Sequence, residues 1–290
     1  MPSTTSLLLS SSAAAGALER LRPVGASHDD VRRYSRARRN VLPRAEHVTT
    51  VCGAWAHEVV LRSDAAIEVV LWCPGERAHP DLETTAAAVA ERAHRAYRVS
   101  ERTLARIQPD ATGPALLSVV RLPRWNPEQV LGDRARLVLV ADGIEYAGNL
   151  GTLVRTADAC AADGLILTRA TARVTHPKAF AASRGMVLTT PVLAYPTIAE
   201  ARADLAAAGF ATYVADPAGA TPYRSAGLGS GRTAVVVGSE GEGVSDEWRR
   251  GLPRVAIPML GRADSLNVAA SAAVLLFEAR AALDQQAERR

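Results

Sequence analysis

Two short apolar runs in the last third of the chain, each ending in a polar turn, constrain the fold more than any other feature. The first is Thr233-Ala-Val-Val-Val-Gly238, followed by Ser-Glu-Gly-Glu-Gly-Val-Ser. The second is Val255-Ala-Ile-Pro-Met259, followed by Leu-Gly-Arg-Ala-Asp-Ser-Leu-Asn. Residues 234–237 form an unbroken run rich in β-branched side chains, the pattern of a strand covered on both faces. Gly238, Gly241 and Gly243 behind it can take positive φ or let the backbone approach a ligand closely. Asp264 and Ser265 suit a helix N-cap, and from Leu266 the composition turns alanine-rich and helical. In open α/β sheets, ligands lie at the carboxyl ends of strands, beside helix N-termini. Two such turns in succession therefore describe a ligand site.

The same alternation runs back to about residue 133. Strands are predicted over 136–142, 165–167 and 210–216, with a helix over 149–161 whose Leu150, Val154 and Ala157 share one face. Repeated strand–helix–strand order gives an α/β domain with a parallel, doubly wound sheet. Ahead of it, residues 46–122 read as a smaller α/β unit. It has strands at 47–51 and 67–72, helices at 54–62 and 82–96, and a closing strand at 116–120. Leu122-Pro-Arg-Trp-Asn-Pro127 reads as a stiff linker. The expected division is a leader over 1–27, a small domain over 28–122, a linker over 123–132 and a larger domain over 133–290. The leader run Ser6-Leu-Leu-Leu-Ser-Ser-Ser-Ala-Ala-Ala15 lacks a basic flank and is broken by serines. A mobile polar tail is expected there, not a signal peptide. No stretch approaches a membrane span.

Charge points to the partner. The formal net charge is +4, and the cations are arginines apart from Lys178. A basic balance favours nucleic acid or an acidic membrane surface. Arg32, Arg33, Arg36 and Arg39 recur at helical spacing and would form one basic face, a stripe suited to phosphates. Cys52, Cys73 and Cys160 have no metal-ligand spacing and are expected as buried thiols in a reducing compartment. The six histidines, at 28, 47, 57, 79, 94 and 176, are scattered, so structural or surface roles and no metal site are expected. A dinucleotide-binding oxidoreductase is excluded because Gly227-Leu-Gly229-Ser-Gly231 precedes its strand instead of following one. No Gly-Lys-Ser/Thr phosphate loop occurs.

The turns also carry motifs. Gly238-Ser-Glu-Gly-Glu-Gly243-Val-Ser and the stretch from Ile257 through Asp264-Ser-Leu-Asn267 to Ser271 resemble motifs 2 and 3 of the SpoU/TrmH family of RNA ribose 2′-O-methyltransferases. Ala147-Gly-Asn149-Leu-Gly151-Thr-Leu-Val-Arg155-Thr-Ala resembles motif 1. All three stand in the family's order between residues 149 and 273. The architecture also resembles the antibiotic-resistance methyltransferases of the family, which act on large-subunit ribosomal RNA. The resemblance implies a deep C-terminal trefoil knot, although chains otherwise avoid knots. It further implies an L30e-like RNA substrate-binding domain ahead of the catalytic one, a homodimer through the catalytic domain and a cytoplasmic enzyme. S-adenosylmethionine is the implied cofactor and RNA the partner, 23S ribosomal RNA before transfer RNA. A non-catalytic RNA-binding protein of the same fold is the other alternative, and intact Asn149, Arg155, Glu240 and Asn267 argue against it. The chain departs from relatives in lacking a glutamate before Gly53, and at Cys160-Ala-Ala162, where a glycine is usual.

The resemblance also implies roles. Arg155 would grip the phosphate beside the target ribose and ease ionisation of its hydroxyl. Asn149 and Asn267 would offer donor and acceptor groups, and Glu240 would orient Asn149 or a loop N–H. Ser265 would cap the last helix or touch substrate. Ile257, Met259 and Leu266 suit an adenine slot, with Gly238 and the backbones of Ala215 and Ile257 at the base edge. Ser239, Gly243 and Asn267 complete the expected cofactor set. Lys178, Ser183 and Arg184, in a short helix with the family's look, join the arginine stripe as expected RNA contacts.

Overall fold

A computed structural model describes residues 11–75, 80–111, 115–219, 221–239 and 241–289. The chain forms two compact units. One runs to Pro123 and takes in Thr175–Phe180; the other holds Arg124–Val174 and Ala181–Arg290.

The first unit contains α1 (Ser11–Glu19), α2 (Asp29–Arg38), β1 (Val48–Cys52), α3 (Ala54–Leu61), β2 (Ile67–Cys73), α4 (Pro80–Arg92), β3 (Ala96–Arg98), α5 (Glu101–Ile107) and β4 (Ala115–Arg121). Its sheet has the order β1-β4-β2-β3, antiparallel except where β3 runs parallel to β2. All seven residues of β2 are buried, Glu68 among them, whose carboxylate is held by Arg33 and Arg121. Val31 and Tyr34 of α2 pack on Val69, Leu71, Leu117 and Val119 of the sheet. His57 is fully buried between α3 and β4. Its ring nitrogens lie 2.7 Å from the Gly53 carbonyl and 2.7 Å from the Ser118 hydroxyl. Burial lowers its pKa to about 4, so the ring stays neutral.

Three expectations change here. From Ser11 the predicted mobile leader is a helix, because Ala14 and Leu18, four residues apart, are both buried; residues 1–10 lie outside the described residues. Farther along, the Val24 N–H donates to the Arg98 carbonyl. The helix predicted over 82–96 stops at Arg92, whose guanidinium donates to the carbonyls of Val60, Leu61, Ser63 and Ala65. These contacts close the C-terminal end of α3, where the Val60 carbonyl also accepts from Ser63, and the chain beyond Arg92 pairs with β2 instead. Cys52 is exposed, whereas Cys73 and Cys160 are buried as expected.

The second unit opens with α6 (Pro127–Leu131), inside the stretch expected as a linker. Asn126 and Gln129 form a reciprocal capping box, Pro127 sits in the first turn, and Val130 and Leu131 are buried. Then follow β5 (Leu137–Asp142), α7 (Ala147–Ala159), β6 (Gly164–Thr168), α8 (Pro177–Ala182), β7 (Val192–Ala194), α9 (Ile198–Ala207), β8 (Ala211–Ala215), β9 (Thr221–Pro222), β10 (Thr233–Gly238), α10 (Asp246–Arg249), β11 (Arg254–Ala256) and α11 (Val268–Glu288). Residues 177–180 of α8 belong to the first unit's share of the chain.

The expected parallel sheet is present, in the order β7-β6-β5-β10-β8-β11-β9, with every pairing parallel. Val138, Val140, Ile166, Val214, Ala234 and Val236 face one layer, with α6, α9 and Trp248 of α10. On the other face α11 packs on β5, β10 and α7. Cover on both faces explains why these strands are apolar without alternation. The chain leaves β5 toward β6 on one side, while β10 pairs with β5 on the other. This is a switch point, and its strands end side by side, Gly238 opposite Asp142. Among the described residues no helix is long and apolar enough to cross a membrane.

Candidate active site

Asp142 organises the switch point. It is fully buried at the end of β5. Its carboxylate accepts from the Thr168 hydroxyl (2.9 Å), Arg169 Nε (3.0 Å) and the Ser245 backbone N–H (2.9 Å). Trp248 Nε1 donates to the same Thr168 hydroxyl at 3.0 Å. A buried carboxylate needs such partners, and here they tie the ends of β5 and β6 to the turn after β10. That turn is tight. A Cβ on Gly238 would lie 2.0 Å from the carbonyl carbon of Gly243, and Gly243 has φ +68°. Glycine is required at both positions. The Gly243 N–H donates to the Ser239 carbonyl at 2.9 Å, closing the loop.

Beside it, β8 is followed by Asp216, whose side chain is 7% exposed and faces Arg249 at 3.4 Å and Arg254 at 3.5 Å. The Asp216 carboxylate also accepts from the Ala218 N–H. The segment after β11 passes over these turns and enters α11. The cap of α11 is Asn267, whose side-chain oxygen accepts from the Ala269 N–H at 2.9 Å. Neither Asp264 nor Ser265 caps, because the helix starts only at Val268. The Ser265 hydroxyl instead points to the Asp264 carboxylate at 3.4 Å.

These turns enclose a cavity of about 430 Å³. Ala215, Gly238, Ser239, Gly243, Ile257, Met259, Leu266 and Asn267 all line it, and so does Ser265. Sequence reasoning missed Asp216, Val244, Arg249 and Ser271, which also line it. Asp216 could have been found as the polar residue directly after an apolar strand. Arg249 sits in a four-residue helix and gave no signal.

Other expected site residues lie elsewhere. Asn149 is half-buried in the first turn of α7, and Arg155, two turns on, is exposed; neither lines the cavity. Among the described residues no carboxylate pairs with Arg155. Glu240 lies outside the described residues. Lys178 and Arg184 are exposed, but Ser183 is fully buried and cannot touch RNA directly. The arginine stripe is divided. Arg32, Arg36 and Arg39 are exposed, whereas Arg33 turns inward to Glu46 and Glu68. No group of three or more His, Cys, Asp or Glu that could hold a metal occurs among the described residues.

Comparison with known proteins places this geometry. The SpoU rRNA Methylase family model matches residues 136–277. Over 226 residues the chain is 30% identical to the 23S rRNA (guanosine(2553)-2'-O)-methyltransferase RlmP of Bacillus subtilis, covering 77% of this chain and 84% of that protein. An AdoMet-bound rRNA methyltransferase from Sinorhizobium meliloti superposes with a TM-score of 0.78 at 23% identity, covering 90% of this chain and 98% of the other. The SpoU methyltransferase AviRb from Streptomyces viridochromogenes, in complex with the cofactor AdoMet, superposes with a TM-score of 0.74 at 25% identity, covering 91% and 100%. The chain belongs to the SpoU rRNA methylase family.

S-adenosylmethionine is the cofactor of this family, and the cavity can be tested against it. Its volume falls in the range of small-molecule sites. Ile257, Met259 and Leu266 supply an apolar wall. The Gly238–Gly243 approach leaves no side chain between backbone and ligand. In the wall, Arg249 Nε is buried and lies at ion-pair distance from Asp216 without a hydrogen bond. A buried donor of that kind suits a polar ligand. The residues fit the cofactor.

Proposed function

We propose that this chain is an S-adenosylmethionine-dependent enzyme that methylates a ribose 2′-hydroxyl of 23S ribosomal RNA. One observation carries the reading: eight residues expected as cofactor contacts, from separate stretches of sequence, line one cavity at the switch point of a SpoU-family sheet. The relative RlmP, whose name specifies 23S rRNA, supports the substrate.

When bound, the cofactor supplies an electrophilic methyl group for in-line attack by the hydroxyl oxygen. The chain's task is to position and to stabilise charge. Ile257, Met259 and Leu266 hold the adenine, with Gly238 and the backbones of Ala215 and Ile257 at its edge. Asn267 fixes the start of α11 against the cavity through its cap. Arg155 offers its guanidinium fork to the adjoining phosphate and lowers the cost of ionising the hydroxyl. Asn149 and Ser265 orient the ribose.

The same reading includes a trefoil knot through the loops after β8 and β10 and the 257–267 segment; their shared cavity supports it. It includes an L30e-like substrate-binding role for the four-stranded first unit, a homodimer through the catalytic unit, no metal at the chemical step and a cytoplasmic location. A resistance role is part of the proposal.

The test maps ribose methylation in ribosomal and transfer RNA pools with and without the protein, and scores drug susceptibility in the same strains. A new 2′-O-methyl in 23S RNA is expected, and purified enzyme should still transfer methyl to prefolded RNA in EDTA. A new methyl only in transfer RNA would establish the runner-up substrate. None in either pool would overturn the proposal.

A further inference from the structure

The first unit holds a second hollow, of about 810 Å³, outside the cofactor cavity. Its walls carry five arginines, Arg32, Arg33, Arg36, Arg95 and Arg121, against the carboxylates Asp29, Asp30 and Glu68. Glu68, with 8% of its side chain exposed, sits between Arg33 of α2 and Arg121 of β4. Arg33 is held again by Glu46. Burial alone would lower its pKa, but the hydrogen bonds and charges of Glu68 and Glu46 hold it above the ordinary value. Arg33 is therefore a strut within the protein.

The other arginines differ. The side chains of Arg95 and Arg121 are 52% and 47% exposed, yet their partners Asp30 and Glu68 are buried. Arg36 is exposed and pairs with no described carboxylate. A guanidinium carries five N–H donors in a planar fork. One held to a buried acid through part of that fork keeps donors for a second anion and is already oriented for it. Two such groups, Arg95 in the turn before β3 and Arg121 at the end of β4, line one open hollow together with Arg36 of α2.

We propose that this hollow holds the sugar–phosphate backbone of the RNA substrate, with Arg36, Arg95 and Arg121 as phosphate ligands and the Arg33–Glu68 pair as their frame. The proposal rests on the RNA methyltransferase reading and replaces the helix stripe expected from sequence, since Arg33 turns inward and Arg39 lies outside the hollow.

The test uses Arg36→Ala, Arg95→Lys and their combination, with Arg62→Ala as a control on an exposed arginine elsewhere in the unit. Arg95→Lys keeps the ion pair to Asp30 but loses the fork. In the double variant KM for RNA should rise roughly tenfold, with kcat within about twofold and calorimetric S-adenosylmethionine binding unchanged. For Arg36→Ala, the slope of log KM against log salt should become shallower by about 1. Arg62→Ala should match wild type. If Arg36→Ala and the double variant kept wild-type KM and salt slope while wild type transferred methyl, the hollow would not be an RNA surface, although the enzyme reading would stand. If wild type transferred no methyl, filter binding of the same RNA would still decide. Equal affinity and salt slope in wild type and double variant would overturn the hollow on its own.

Discussion

Arg155 stands exposed on α7, and no described carboxylate neutralises it. An arginine left open beside a motif asparagine suits an anion brought by the substrate. Arg155→Ala should leave calorimetric binding of S-adenosylmethionine nearly unchanged, since the residue does not line the cavity. Single-turnover methyl transfer should fall by roughly a hundredfold, the scale of losing one preorganised charged group. Arg155→Lys should rescue little, because lysine lacks the planar fork. Cofactor affinity falling in step with turnover would refute this. A second residue tests the backbone. Ala161 follows α7 with φ +51°, and Arg280 donates to the carbonyls of Cys160 and Ala161 beside it. An L-residue in that region costs about 1–2 kcal/mol. Glycine relieves this and gives back part through unfolded-state entropy. Ala161→Gly should therefore stabilise the fold by about 0.5–1 kcal/mol, seen as a higher urea midpoint with activity unchanged. A lower midpoint would show that the alanine methyl packs usefully.

At the scale of elements, α11 depends on a single cap that is also a wall of the cavity. Asn267→Ala removes the acceptor for the Ala269 N–H and should cost about 1 kcal/mol of stability. Cofactor affinity and turnover should then fall together, whereas Asn267→Asp, which keeps the acceptor, should retain most of both. Loss of turnover alone would move Asn267 to the RNA side. The choice among caps also shows where sequence reading runs out. Asp264, Ser265 and Asn267 are all good caps, and only tertiary packing selects the third. Strands β5, β6 and β10 were legible because strands covered on both faces read as apolar runs. Strands β7 and β9, of three and two residues, were too short to show any pattern. Helix α9 is alanine-rich with little contrast between its faces, so its period was faint. Motif residues around the cavity were legible because glycine and polar turns must follow strands there. Arg33 was misread because its partner Glu68 is 35 positions away, beyond any helical periodicity.

Across the whole molecule, large apolar side chains remain uncovered in the catalytic unit: Tyr146, Leu260, Leu266 and Phe277 are 66%, 97%, 39% and 49% exposed. Exposed apolar groups of this size favour association. Light scattering should give twice the chain mass, and Phe277→Glu on α11 should shift it toward one chain; a monomer at working concentration would contradict the dimer. The first unit has its own core, and that core carries a pH-sensitive group. Burial lowers the His57 pKa from 6.5 to about 4. The unfolded chain takes up a proton below pH 6.5, whereas the folded unit does not until about pH 4. The depressed value therefore gives stability that is full above pH 6.5 and is lost as pH falls toward 4. The loss amounts to roughly 3 kcal/mol over that interval. Urea unfolding followed by signals of the first unit should show its midpoint dropping between pH 7 and 4.5. The His57 ring resonances should stay those of a neutral imidazole over the same range, because the ring bridges the Gly53 carbonyl and the Ser118 hydroxyl with no room for hydration. A His57 titration centred near 6.5 in the folded protein would mean that α3 opens readily from β4, and the buried bridge would not be a fixed part of the fold.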